Sequence, residues 1–427
     1  MSIVVSKAQA EAIRAIRDWY RHRTHEQQVF RVFGYAGVGK STITAMAIEA
    51  LGLEPMTPGG LGVVLFAAFT GKAVLVMTRK GTPAQTIHSL IYRHSEASPE
   101  EIARVTEELS ALERDLPRMG LAERGFAEAQ IAQLKLRLDH IHEPQFVLNP
   151  QSDLRDADLL VLDEVSMVGK QMAEDLLAFG KPILVLGDPG QLPPVGEKSF
   201  FTDAEPDVML TEIHRQAADS PILRLATMAR RGEPIPFGAY DENVWKMSQR
   251  DVMPGQLLNG GQVICGKNAT RRRLNMAMKQ AAGFDADYPT GSGEKIICLR
   301  NRHDLGLING MFLTLTDVRA HPHNPRAFYA AVQTEDGVAI DGEHEFWRGE
   351  YDDHVVFDPN RHRQDWVQRR GLIESSWGYA ITCHKAQGDS FETVVVFDEG
   401  FGRSAEEYSR WLYTAITRAN RGLLILS

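Results

Sequence analysis

Eight consecutive residues, Gly34 to Ser41, read GYAGVGKS and fit the spacing G-x-x-x-x-G-K-[ST]. Gly34, Gly37 and Gly39 let successive backbone N–H groups turn inward on a phosphate chain, Lys40 adds a point charge, and the Ser41 hydroxyl suits Mg²⁺. The octapeptide lies between an apolar run, Val29 to Phe33, and a helical pattern, Ile43, Met46, Ala47 and Ala50. Strand, loop and helix thus follow in the order a nucleotide phosphate cradle requires. A second apolar run, Leu159 to Leu162, ends in Asp163 and Glu164. Strand-terminal carboxylates in an α/β sheet project into the crevice where ligands sit, so Asp163 suits Mg²⁺ and Glu164 suits a base that orients water. Two adjacent carboxylates favour hydrolysis over transfer to an acceptor. A third run, Pro182 to Leu186, enters a loop from Gly187 to Val195 that is rich in turn formers and therefore rigid. Its one long neutral polar side chain, Gln191, is placed to sense a γ-phosphate.

The elements that must hold these groups alternate between strand and helix. The first half carries the phosphate loop, a strand from Val63 to Phe66, the acidic strand and the glutamine loop, and is expected to span residues 1–204. The second, 205–427, opens with a strand at Val208, continues with a helix carrying Ser220 to Arg230, and has strands around Val263, around Val394 and from Leu423 to Leu426. Such alternation predicts an α/β fold and reads as two parallel, doubly wound sheets. Residues 96–146 interrupt the first half. There Ile102, Val105, Leu109 and Leu112, then Ile131, Leu134, Leu138 and Ile141, recur at spacings of three and four. The spacing predicts two helices, broken near Pro117 to Gly120 and packed as a hairpin prong. Residues from about 303 to 372 interrupt the second half with short strands such as Phe312 to Thr316 and Ala330 to Gln333.

Composition bounds the function. A chain of 427 residues is too long for one core, and 43% hydrophobic residues is ordinary for a soluble globular protein. No apolar stretch approaches membrane-spanning length, and Met1 to Gln9 lacks a signal-peptide pattern, so a cytoplasmic protein without membrane contact is expected. Cys265, Cys298 and Cys383 have no metal-ligand spacing and read as reduced thiols. With 56 acidic against 47 basic residues, non-specific coating of duplex nucleic acid is disfavoured. Local basic clusters at Arg230 and Arg231, Arg271 to Arg273, Arg300 with Arg302, and Arg361 to Arg370 read singly as solvated faces, yet leave room for a confined strand groove.

Taken in order, LLVLDEVSMV from Leu159, LGDPGQLPPV from Leu186, TEIHRQAADSPI from Thr211, YAITCHKAQGDSF from Tyr379 and LYTAITRA from Leu412 resemble motifs II to VI of the superfamily 1 group B DNA helicases, the RecD-like and Dda-like enzymes. The resemblance runs from Gln9, placed like the family's adenine-contacting glutamine, to Arg418. It implies two tandem RecA-like P-loop domains with ATP between them, and an SH3-like β subdomain as the second insertion. It further implies an ATP- and Mg²⁺-dependent hydrolase that moves 5′ to 3′ on single-stranded DNA as a monomer and opens tailed or forked duplexes. DNA replication, repair or recombination in a bacterial or phage-infected cell would be its setting.

The same resemblance distributes roles. Gln9, Gly34, Gly37, Val38, Gly39, Lys40, Ser41 and Thr42, joined by Gly388 from the second half, would hold the nucleotide. Arg215 and Arg418 would bring guanidinium groups to the γ-phosphate from the second half, tying hydrolysis to closure of the cleft. Phe69, Thr70, Gly71 and Lys72 of motif Ia, Thr86 and His88 of the next motif, and Thr382, His384 and Lys385 of motif V would grip the strand. Three positions depart from the family. Phe69 replaces a usual proline and reads as a stacking surface or core filler, Ser390 stands where many relatives have glutamate, and the helical prong replaces a β-hairpin, so no strand-separating residue transfers. Two other readings stay open: an ATP-driven switch that grips nucleic acid without unwinding it, and a small-molecule P-loop kinase, which Glu164 beside Asp163 and the second α/β half disfavour.

Overall fold

The computed structural model describes residues 5–57, 62–95, 98–140, 145–212, 220–358, 369 and 371–427. Six strands form the first sheet, all parallel, in the order Gln85–Thr86, Val64–Ala68, Leu159–Asp163, Ile183–Gly187, Val29–Gly34 and Val208–Leu210. The inner runs are almost wholly aliphatic because both faces are covered, as a parallel sheet requires. One face buries Ile16, Ile43, Ala47 and Ile48, the other Ile87, Leu90, Ala173 and Leu176. All six strands end on one edge, and that edge carries the chemistry.

The strand Val208–Leu210, expected to open the second half, pairs instead with Val32 to Gly34 and completes the first sheet. The boundary after residue 204 therefore falls too early: without this strand the phosphate-loop strand would present an open edge. The second sheet runs Ala380–Thr382, Gln262–Cys265, Phe391–Phe397, Ala419–Leu426, Val244–Met247 and Gly238–Ala239, parallel except for its last pair.

The second insertion is a closed five-stranded barrel of Lys295–Cys298, Phe312–Ala320, Ala327–Thr334, Ala339–Trp347 and Ile373–Trp377. Bounds of 303 to 372 miss its first and last strands, which must pair with each other to close it. Phe328 stacks on Phe346 inside, beside Tyr351 and Trp377.

The prong consists of helices Pro99–Asp115 and Leu121–His140, joined through a short turn at Leu116–Arg118; Ile141 lies outside the described residues. Ser98 caps the first helix by accepting from the Glu101 N–H, with Pro99 at the first helical position. Val105 and Leu134 bury against Ile102, Leu109, Leu112 and Leu138, and the ion pairs Lys135–Glu113 and Arg137–Glu101 flank the seam. At its root stands an antiparallel ribbon, Tyr92–Ser95 with Gln145–Leu148, which the helical periodicity did not reveal. Four-residue strands carry too little alternation to register. Among the described residues no helix is long and apolar enough to cross a membrane.

Candidate active site

Gly37 and Gly39, both at φ 82°, bend the chain between the strand Val29–Gly34 and the helix Lys40–Leu51. Gly34 is fixed by close approach, since a Cβ there would lie 2.6 Å from Val38 Cγ2 and 3.0 Å from Leu210 Cβ. Lys40 Nζ donates to the Gly34 carbonyl at 2.6 Å and the Tyr35 carbonyl at 3.4 Å, folded over the mouth of the loop. Ser41 Oγ donates to Asp163 Oδ2 at 3.2 Å, while Thr42 is exposed one position further along the helix. Gln9 is buried: its carbonyl accepts the Ser6 N–H in a capping box and its amide donates to the Val38 carbonyl. Both ends of the Gln9 amide are thus engaged by protein, where an adenine edge had been expected.

Ile183–Gly187 lies between the phosphate-loop strand and the acidic strand, so its following loop falls between their two ends. That puts Asp188 beside Lys40. Burial pushes the Asp163 carboxyl up, the Glu164 charge adds to this, and the Lys40 charge opposes it. Asp188 is likewise raised by burial and pulled back by Lys40. Two desolvated carboxylates beside one lysine, with the Ser41 hydroxyl on Asp163, make a donor set suited to a hard divalent cation with a phosphate chain. Glu164 sits in the left-handed region at φ 52°, ψ 44°, and its N–H donates to Asp163 Oδ1 at 2.8 Å.

The second half meets this edge through the helix Ala405–Ile416. Tyr413 Oη accepts the Ala36 N–H at 2.8 Å and donates to Asp188 Oδ2 at 2.6 Å, joining the phosphate loop to the middle strand across the cleft. Thr414 Oγ1 accepts the Leu192 N–H, and Gln387 Nε2 donates to the Leu192 carbonyl. Arg230 places its guanidinium 3.6 Å from the Tyr35 ring centre, and Tyr413 meets that ring edge-on. Sequence reasoning did not single out Asp188 or Tyr413, although Tyr413 lies within the LYTAITRA run, and it read Arg230 only as part of a solvated basic cluster. Gln191 is buried, and its Oε1 accepts from Ser166 Oγ at 3.2 Å.

Arg418 is 5% exposed, and its guanidinium donates to the Thr414 carbonyl, the Asp389 carbonyl and Thr417 Oγ1, all within the second half. Among the described residues it forms hydrogen bonds to neutral acceptors, neither a salt bridge nor a hydrogen bond to the phosphate loop. Arg215 lies outside the described residues, as do residues 361–368 and 370 of the last basic cluster.

The expected strand contacts fall into two groups. Phe69 and His88 meet edge-on and, with Tyr92 and Phe146, line a cavity of about 610 Å³. Burial lowers the His88 pKa, and that of His384 as well, favouring the neutral imidazole. Phe69 thus fills part of the core and shows a face to the cavity. Thr70, Thr86 and Thr382 each cap a helix, accepting the N–H of Ala73, Ser89 and Lys385. Lys385 donates to Asn309 Oδ1, and His384 stands edge-on to Phe401. Lys72, expected to grip the strand, is paired with Asp389 at 3.1 Å. A Cβ on Gly388 would lie 2.4 Å from Thr70 Oγ1, so this glycine is packed closely against motif Ia. Ser390 is exposed.

Fold and site together define a P-loop nucleotide-binding protein built from two facing α/β sheets. A family model for the AAA domain matches residues 4–245, and one for the UvrD-like helicase C-terminal domain matches residues 378–426. The ATP-dependent RecD2 DNA helicase of Deinococcus radiodurans is 28% identical over 283 residues, covering 61% of this chain and 35% of that protein. The ATP-dependent DNA helicase dda of Enterobacteria phage T4 is 28% identical over 232 residues, covering 52% of this chain and 40% of that protein. Among solved structures, that of two coordinating Pif1 helicases at forked double-stranded DNA superposes with a TM-score of 0.53 at 18% identity, covering 100% of this chain and 92% of that one. The chain belongs to the AAA-domain family. Its match spans well under half the length of either curated relative.

Proposed function

We propose that this chain hydrolyses ATP to move along single-stranded DNA, 5′ to 3′, and separates tailed or forked duplexes as a monomer. The observation that carries this reading is the cross-cleft contact. Tyr413 of the second half touches both the Ala36 amide of the phosphate loop and Asp188, so nucleotide entering the loop must act on both halves at once. Gly37, Val38, Gly39, Lys40, Ser41 and Thr42 would hold the phosphates, with Ser41 and Asp163 on Mg²⁺ and Gln9 near the base. When bound, MgATP supplies the scissile γ-phosphoryl group and the charge that helps neutralise it. Glu164 orients and deprotonates water from its fixed left-handed backbone, and Arg215 and Arg418 turn toward the γ-phosphate as the halves close. Closure also moves motif Ia relative to motif V, which ratchets a strand held by Phe69, Thr70, Thr86, His88, Thr382, His384 and Lys385. The RecD2 and dda relatives are named as ATP-dependent DNA helicases, in line with this reading.

Phosphate release measured with and without an oligo-dT strand tests it. Turnover should rise several-fold with the strand and vanish in Lys40→Ala, which removes the charge on the phosphate chain. Turnover indifferent to the strand would overturn the reading. A second reading, a strand-gripping ATPase switch without unwinding, is favoured by one feature: the first-half insertion is mostly a helical pair with a short ribbon root. Separation of a 5′-tailed duplex distinguishes the two.

A further inference from the structure

We propose that Asp389 is a positioning residue that latches Lys72 and Arg418 into one node while no strand is bound, and so holds ATP hydrolysis low until a strand arrives. This rests on the strand-dependent reading above and adds a regulatory contact to it. Lys72 lies in the first turn of the helix Gly71–Arg79, in the first half; Asp389 lies within the motif V run, between the helix Cys383–Ala386 and the strand Phe391–Phe397, in the second. Their 3.1 Å ion pair is enclosed, at 18% and 4% exposure. The Lys72 ammonium also stands 4.1 Å from the ring centre of Phe312 in the barrel and 5.5 Å from that of Phe391 in the second sheet. Three structural units therefore converge on one lysine.

There is little slack around the pair. A Cβ on Gly71 would come within 2.2 Å of Ile308 Cγ2, and Gly388, at φ 80°, presses on Thr70. The same Asp389 that takes Lys72 through its carboxylate takes Arg418 Nη1 through its carbonyl. Arg418 must leave that carbonyl to reach a γ-phosphate.

A phosphate arriving at the N-terminus of the Gly71–Arg79 helix competes for Lys72, because ammonium and helix N–H groups attract the same anion. Asp389 then loses its counter-ion in a site that already pushes its carboxyl up to about 6, by burial and against the pull of Lys72. A buried charge left without its partner is costly, so the Gln387–Asp389 turn reorganises toward water. Its carbonyl moves with it and releases the guanidinium toward the cleft. Strand occupancy and finger position are thereby coupled through one residue.

Wild type, Asp389→Asn and Lys72→Met, each checked for a cooperative melt, are compared in ATP turnover without and with an oligo-dT strand. Asp389→Asn keeps the shape and the carbonyl but loses the charge. Its strand-free turnover should rise on the order of fivefold or more, toward the stimulated rate. Lys72→Met should raise strand-free turnover too while weakening strand affinity, whereas loss of a plain strand contact would lower only the stimulated rate. Asp389→Glu should raise strand-free turnover less than Asp389→Asn does. Strand-free turnover at the wild-type level in Lys72→Met, or in a folded Asp389→Asn, with the wild type still stimulated, overturns the latch and leaves the proposed function standing. A wild type that ignores the strand overturns both.

Discussion

Glu164 is, among the described residues, the one non-glycine with a positive φ. Holding a residue with a Cβ in the left-handed region costs about 1–2 kcal/mol, and such strain persists where surrounding structure enforces it. Here Asp163 Oδ1 takes the Glu164 N–H, and the buried turn Val165–Met167 follows at once. Asparagine tolerates this backbone better than most residues but offers no base. Glu164→Asn should therefore melt at or slightly above the wild-type temperature while turnover drops by about 10²–10⁴-fold, the usual contribution of a general base. Thermal melts and phosphate release measure the two sides. Retained turnover would move the base elsewhere. The three motif threonines show the opposite case: each hydroxyl already serves its own helix as a cap, so their local role is complete without a ligand.

Among the elements, the prong is the most separable. Two of its buried residues, Val105 and Leu134, pack with other prong residues, and its two ion pairs join its own helices. Removing it exposes little of the first sheet, because the Tyr92–Ser95 and Gln145–Leu148 ribbon remains to close the gap. Replacing residues 98–140 with a short Gly/Ser turn should preserve strand-stimulated turnover and movement on single strands. Duplex separation should fall strongly if the prong supports the wedge, as seen with a 5′-tailed fluorescent duplex. Separation at the wild-type rate would leave the prong a packing or partner-binding element, with the exposed ribbon Phe146 as the remaining wedge candidate.

For the whole molecule, a formal net charge of −9 means that strand affinity must come from few cations. Of the candidate strand contacts, Lys72 and Lys385 are the two that carry fixed positive charge, and each already has a protein partner. Single-strand binding loses about 0.7 in log–log slope per neutralised phosphate, so affinity for oligo-dT should fall with salt at a slope between about −1 and −3. Fluorescence anisotropy across a NaCl series gives the slope directly. A slope steeper than about −5 would require a basic surface beyond these residues.

Contiguous chemistry was legible in the chain because its geometry is local. A phosphate cradle needs consecutive backbone amides and a lysine at fixed spacing, and an acidic strand end needs only its own two residues. The prong likewise showed in its three-and-four periodicity. The barrel showed only in part, since closure depends on strands outside the run that looks irregular. What the tertiary structure alone decided are contacts between distant residues. Ala36 meets Tyr413 across 377 positions, Lys72 meets Asp389 across 317, and Val208–Leu210 joins the first sheet rather than the second. No local spacing encodes such pairs, because they follow from how the two sheets and the barrel pack against one another. Lys72, Arg418 and Gln191 stood out in the sequence as candidate functional side chains, but the groups they bond were not legible there. Their partners were set by burial, which gives a desolvated charge or amide the nearest complementary group in the folded chain.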